Sequence, residues 1–171
     1  MSRGFDEYFG VLAGGSQFFE TLPEGGAYAG TRGAPVNRSA VNAVYRGRER
    51  VQVDEDLTDV FTEEAVSFID RHANDPFFLY LSHTTPHTPL QATKPYFDRY
   101  GHVQDMATRV YAAMVSSLDD SVGEVVEKLK EIGQYENTLI AFLSDNGCAG
   151  YIDNACSNLN FAGFKRYHQE G

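Results

Sequence analysis

The sequence predicts an α/β fold, a partial sandwich in which helices flank a mostly parallel central sheet. Two apolar runs rich in aromatic and β-branched residues, at 76–81 and 139–143, read as buried strands. Between them lies a long helical pattern at 106–132. Strand, helix, strand makes a right-handed crossover and a parallel pair the default. Each run then stops in polar residues: Ser82 and His83 after the first, Ser144-Asp145-Asn146-Gly147 after the second. Carboxyl ends of parallel strands are where α/β proteins bind ligands.

The 171 residues can enclose a core, and 42% hydrophobic and 13% aromatic content is that of a globular protein. A formal net charge of −10 argues against nucleic acid or an anionic membrane as main partner. No apolar stretch approaches the ~20 residues of a transmembrane helix, and the opening residues lack the apolar region of a signal peptide. The two cysteines, Cys148 and Cys156, share one loop. They could form a disulfide, and their spacing fits no four-ligand zinc pattern.

In chain order, residues 1–35 are rich in glycine and aromatics without lasting periodicity, and read as an irregular segment pinned by Phe5, Tyr8, Phe9, Phe18 and Phe19. Residues 43–53 read as a hairpin turning near Arg46-Gly47. The nearby Arg38, Arg46, Arg48 and Arg50 form either an anion site or the solvated face of a two-stranded ribbon. Residues 57–72 read as a helix. Leu57, Phe61, Ala65, Phe68 and Ile69 recur at helical spacing, Thr58 serves as N-cap, and Asn74-Asp75-Pro76 stops the helix. Residues 90–104 read as a polar, aromatic loop. The helix at 106–132 carries the stripe Met106, Val110, Met114, Leu118, Val122, Val125, Leu129, Ile132, and Gly133 ends it. Asp119 and Asp120 lie mid-helix, as ligands or as an exposed, locally bonded pair. The whole reads as one partial domain, 1–171. An irregular segment plus hairpin spans 1–56, and an α/β core with the site loops spans 57–171.

Three places carry candidate chemistry. Asp145 and Asn146 put a carboxylate beside an amide carbonyl, which suits a hard cation such as Ca²⁺ or Mg²⁺; Asp-Asn-Gly is also a turn sequence. His83 and His87 flank a strand's carboxyl end, and Pro86 and Pro89 keep them off a helix. They are site residues or hydrogen-bonded structural ones. Lys165 and Arg166 could bind an anion or simply face solvent.

Taken in order, these residues resemble a known family. Pro76-Phe77-Phe78-Leu79-Tyr80-Leu81, then Pro86-His87-Thr88-Pro89, then Ser144-Asp145-Asn146-Gly147, then Gly163-Phe164-Lys165 with Glu170-Gly171, is similar to the middle of a type I sulfatase of the alkaline phosphatase superfamily. Gly4-Phe5-Asp6-Glu7-Tyr8-Phe9-Gly10 resembles the segment after that family's early active-site motifs. The resemblance implies sulfuric ester hydrolysis of a sulfated small molecule or glycan. It makes Asp145 and Asn146 ligands of a catalytic Ca²⁺. His87 becomes the histidine that contacts the ester and protonates the leaving oxygen, and Lys165 the lysine that binds sulfate oxygens. His83 would be a support beneath the site or a substrate contact. The family's nucleophile is a formylglycine made within Cys/Ser-x-Pro/Ala-x-Arg, and no such motif occurs in these residues. The early Asp-Asp pair of the metal site is missing too. The expectation is therefore a central sulfatase fragment, inactive alone and prone to self-association through uncovered surfaces. The alternatives are a phosphate or phosphonate ester hydrolase of the same superfamily, or a non-enzymatic α/β piece.

Overall fold

A computed structural model describes residues 4–12, 17–19, 22–29, 43–150 and 156–169. Arg38, Glu170 and Gly171, part of the sequence reading, lie outside them. Three short strands, β1 (Phe9–Val11), β3 (Val44–Arg46) and β4 (Glu49–Val51), form one antiparallel sheet in the order β1-β3-β4. The β3–β4 pair is the predicted hairpin, turning one residue later than expected, at Gly47-Arg48. A second sheet pairs β2 (Ala27–Ala29) with β5 (Leu90–Ala92), again antiparallel. The segment read as a loop at 90–104 therefore contains a strand and a helix, α2 (Lys94–Arg99). Its three-residue strand is too short for periodicity to register.

Arg46 forks onto the Glu64 carboxylate, with N–O distances of 2.7 and 2.6 Å, and lies over the Phe9 ring. It is neither a free anion site nor simply solvated.

Helix α1 (Leu57–Arg71) is set by its apolar spacing, which buries Leu57, Phe61, Ala65 and Ile69. Its N-cap is Asp56, not Thr58: Asp56 Oδ1 accepts from the Thr58 N–H at 2.7 Å. Thr58 sits inside the first turn with its hydroxyl turned into the protein. Helix α3 (Met106–Glu131) is capped by Asp105, whose Oδ1 accepts from the Thr108 N–H. It ends at Gly133, where φ is +72° and the Gln134 N–H returns to the Leu129 carbonyl. The buried face of α3 differs from the predicted stripe. Val110, Ala113, Met114, Ser117, Ser121 and Leu129 are buried, while Met106 is exposed. The helix turns two serines inward: Ser121 meets the Thr62 hydroxyl of α1, while Ser117 Oγ is buried without a hydrogen-bond partner among the described residues. Asp120 pairs with Arg99 across 3.1 Å of surface, so its reading as an exposed, bonded residue stands.

The core joins both parts of the chain: Phe18, Phe19, Val44, Leu57, Phe61, Leu90, Val110, Ala113 and Met114 form one cluster. Each large apolar side chain buried there contributes about 1.5–3 kcal/mol.

Neither predicted central strand forms a ladder among the described residues, and every strand pairing there is antiparallel. Residues 77–83 alternate strictly between half-buried and exposed, the signature of an extended strand packed on one face. Phe77 meets the Phe68 ring of α1, and Phe78 points outward, 75% exposed. Residues 139–146 are exposed throughout, Leu139 at 96%. The expected burial of the two strands is corrected here, and their parallel pairing is not confirmed among the described residues. A β-ladder needs a neighbour on its edge, and no described residue takes that place.

Candidate active site

Two loop groups carry the candidate residues. The first follows the extended segment 77–83 and is tied to both long helices by a chain of hydroxyls and one imidazole. Thr85 Oγ1 and Thr58 Oγ1 of α1 are 2.6 Å apart. Thr62 Oγ1 donates to the Thr58 carbonyl at 2.6 Å and lies 2.5 Å from Ser121 Oγ of α3. Ser121 Oγ in turn lies 3.0 Å from His83 Nε2. Thr62 has one proton and gives it to a carbonyl, so Ser121 must donate to Thr62, and His83 must donate to Ser121 through Nε2–H. His83 is thus the neutral Nε2–H tautomer. Burial pushes its pKa down to about 4, since desolvation disfavours imidazolium. Its Nδ1 is buried with no hydrogen-bond partner among the described residues.

Four residues on, His87 is half-buried, its N–H donating to the Thr84 carbonyl at 2.8 Å and Nδ1 lying 2.7 Å from the Thr88 carbonyl. A carbonyl only accepts, so Nδ1 carries the proton there and Nε2 is left to face outward chemistry.

The second group is the loop after 139–143. Asp145 and Asn146 are both exposed, and Asn146 Nδ2 donates to Asp145 Oδ1 at 2.9 Å. Ser144 Oγ donates to the Asn146 carbonyl at 2.6 Å. Cys148 and Cys156 form a disulfide. Lys165 joins this group through its backbone, its N–H donating to the Cys148 carbonyl at 2.8 Å. The structure thus ties the Lys165 backbone to Cys148, three residues after Asp145. No hydrogen bond joins His87 to Asp145, Asn146 or Lys165 among the described residues. As cation ligands, the Asp145 carboxylate and the Asn146 amide oxygen fit in kind, both being hard donors; in number they supply a minor part of the ~6–8 oxygens Ca²⁺ takes. No cluster of three or more acidic, histidine or cysteine ligands occurs among the described residues.

Sequence reasoning missed the Thr58, Thr62, Ser121 and Asn158 side chains. The helical ones left a signal: Thr58 and Thr62, like Ser117 and Ser121, sit four apart on faces that are otherwise apolar.

The sequence pattern of the Sulfatase family matches residues 2–169. The chain belongs to the sulfatase family. Among curated proteins it is 30% identical to Arylsulfatase J of Mus musculus over 99% of its own length and 27% of that protein's. It is 32% identical to the uncharacterized sulfatase YdeN of Escherichia coli (strain K12), over 85% of this chain and 23% of that protein. A third relative, 32% identical over 72% of this chain and 25% of its own, is an N-acetylgalactosamine-6-O-sulfatase of Bacteroides thetaiotaomicron. The chain thus spans about a quarter of the length of these curated relatives. Among solved structures it resembles Ps i-CgsB in complex with k-i-k-neocarrahexaose. The TM-score is 0.83 at 35% identity, covering 99% of this chain and 38% of that one. The α/β class of the fold stands on this likeness.

Proposed function

We propose that these residues form part of the catalytic domain of a sulfuric ester hydrolase and supply its His87, Lys165, Asp145 and Asn146. The substrate is a sulfated small molecule or glycan; a relative named for N-acetylgalactosamine 6-O-sulfate supports that class. The observation that carries the reading is the docking of the Lys165 backbone on Cys148, just after Asp145 and Asn146, in a chain 99% of which follows Ps i-CgsB. Asp145 and Asn146 would hold Ca²⁺, which when bound offsets negative charge on sulfate oxygens. Lys165 brings a second positive charge to the same anion and stabilises the charge that develops as the ester bond breaks. His87, protonated at Nδ1 toward Thr88, can give a proton from Nε2 to the departing oxygen once it is doubly protonated. His83 supports the loop from below rather than touching substrate. A formylglycine, the family's nucleophile, has no precursor motif in these residues, so the 171 residues alone are expected not to turn over.

Hydrolysis of a chromogenic aryl sulfate with Ca²⁺, beside an aryl phosphate and a His87→Ala control, tests this. Calorimetry on the same protein should find Ca²⁺ binding weaker than micromolar that Asp145→Ala removes. Aryl sulfate turnover abolished by His87→Ala would overturn the claim of incompleteness. Turnover of the phosphate alone would overturn the choice of substrate. Ca²⁺ binding unaffected by Asp145→Ala would overturn the ligand assignment.

A further inference from the structure

Cys148 is engaged at three points by a single downstream segment. Its N–H donates to Asn158 Oδ1 at 2.7 Å, its carbonyl accepts from the Lys165 N–H at 2.8 Å, and its sulfur is bridged to Cys156. The far end of the same Asn158 carboxamide, Nδ2, donates to the Gly163 carbonyl at 2.7 Å. Asn158 therefore spans the two strips of backbone that carry the candidate ligands and the candidate lysine. One amide group does this because it offers an acceptor in one direction and a donor in the other.

The neighbouring glycines fit this close docking. Gly163 has φ +94°, and a Cβ there would stand 2.9 Å from Gln169 Cβ. A Cβ on Gly150 would come within 3.1 Å of the Phe164 ring. The turn at 163–165 is thus seated against 148–150 by the close fit of Phe164 on Gly150 and by the Lys165–Cys148 hydrogen bond, and Asn158 bridges the two with one hydrogen bond to each. Asp145 and Asn146 lie just upstream of Cys148 on an exposed loop whose side-chain hydrogen bonds among the described residues are local.

We propose that Asn158 is a positioning residue: its carboxamide, with the Cys148–Cys156 bridge, sets where Lys165 stands relative to the Asp145 and Asn146 oxygens. The proposal rests on the functional reading given above. A cation site and an ammonium act together on one anion only if their separation is fixed beforehand, and small misplacements of such groups are costly. The lysine side chain is long and mobile, so the fixed quantity is the position of its backbone. The Asn158 clasp holds that backbone against the loop carrying the ligands.

The test follows the Lys165 ¹⁵Nζ resonance of the 171-residue protein, assigned with Lys165→Arg, as sodium sulfate is titrated in dilute Ca²⁺. Sodium chloride of matched ionic strength is the control. The wild type should show a saturating shift. Asn158→Ala should weaken the apparent sulfate affinity about three- to tenfold, the scale of one or two lost hydrogen bonds. It should also speed exchange of the Lys165 backbone amide while leaving the Val110 amide protected. Asn158→Ser, too short to bridge both strips, should behave the same way and carries the test if the alanine variant does not fold. Both variants matching the wild type in sulfate response would overturn the proposal. A wild-type Lys165 signal that ignores sulfate would overturn the functional reading and the proposal with it, and the wild-type trace alone separates the two failures.

Discussion

His83 lies between α1 and α3 as a neutral imidazole whose only hydrogen bond among the described residues runs to Ser121. Its pKa is held at about 4, against an ordinary value of 6.5. Above pH 6.5 both folded and unfolded chains are neutral at this residue, and it adds no pH dependence. As pH falls from there toward 4, the unfolded chain takes up a proton that the folded chain refuses, so stability is lost, and the loss levels off below the folded value. The full effect is about 3 kcal/mol. Urea unfolding near pH 7 and near pH 4.5 should therefore find wild type losing about 2 kcal/mol more than His83→Asn over that interval; equal losses would remove the buried, neutral assignment. The sequence placed His83 at a candidate site but could not orient its ring. Orientation came from Ser121, 38 residues away, and from the single proton of Thr62. Asp145, Asn146, His87 and Lys165 were legible as candidates because chemistry of that kind needs particular side chains at ordered positions. Asn158 was not, since an asparagine in an irregular loop reads as an ordinary turn residue.

At the scale of elements, the two long helices and the hairpin were legible because their signals are local. Apolar spacing, an acidic start, a basic end and a terminal glycine all act within a few residues. The cap of α1 was misplaced by two residues. Its side chain accepts from a backbone N–H two residues on, and both Asp56 and Thr58 have the chemistry for it. Asp56→Ala should cost about 1 kcal/mol in chemical denaturation. Thr58→Val should instead break the link to Thr85 and loosen the loop of His87, visible as faster amide exchange at His87 with little change in α1 helicity. If Asp56→Ala is silent and Thr58→Val melts the first turn of α1, the cap assignment is wrong. The buried face of α3 was legible only in part. Ser121 is buried there against the Thr62 hydroxyl of α1, a partner that apolar spacing does not reveal.

At the scale of the whole molecule, several large apolar side chains among the described residues are left uncovered. Phe78, Tyr80, Leu139, Phe142 and Leu143 face solvent, and Phe142 borders an open groove of ≈ 300 Å³ with Val115, Leu118 and Val122 of α3. Exposed apolar side chains beside an extended backbone without ladder partners among the described residues promote association. Static light scattering should find the mass rising with concentration, and Leu139→Lys with Leu143→Lys should reduce it. A monomer at high concentration would count against this. No helix among the described residues is long and apolar enough to cross a membrane.

By itself the sequence determined the helices, the hairpin, the stop signals and the candidate side chains, together with the family to which their order belongs. Each of these depends on interactions within a short stretch, or on the identity of residues. The tertiary structure decided which of two capping residues caps α1, which face of α3 is inside and which nitrogen of His83 holds the proton. It also decided that Cys148 and Cys156 join, and that Lys165 is moored to the loop of Asp145 and Asn146. It decided, too, that the runs at 77–83 and 139–143 stay extended and unpaired among the described residues. Those outcomes depend on partners distant in sequence. A strand, unlike a helix, completes its hydrogen bonds only with a neighbour, so its pattern can be read locally while its pairing cannot.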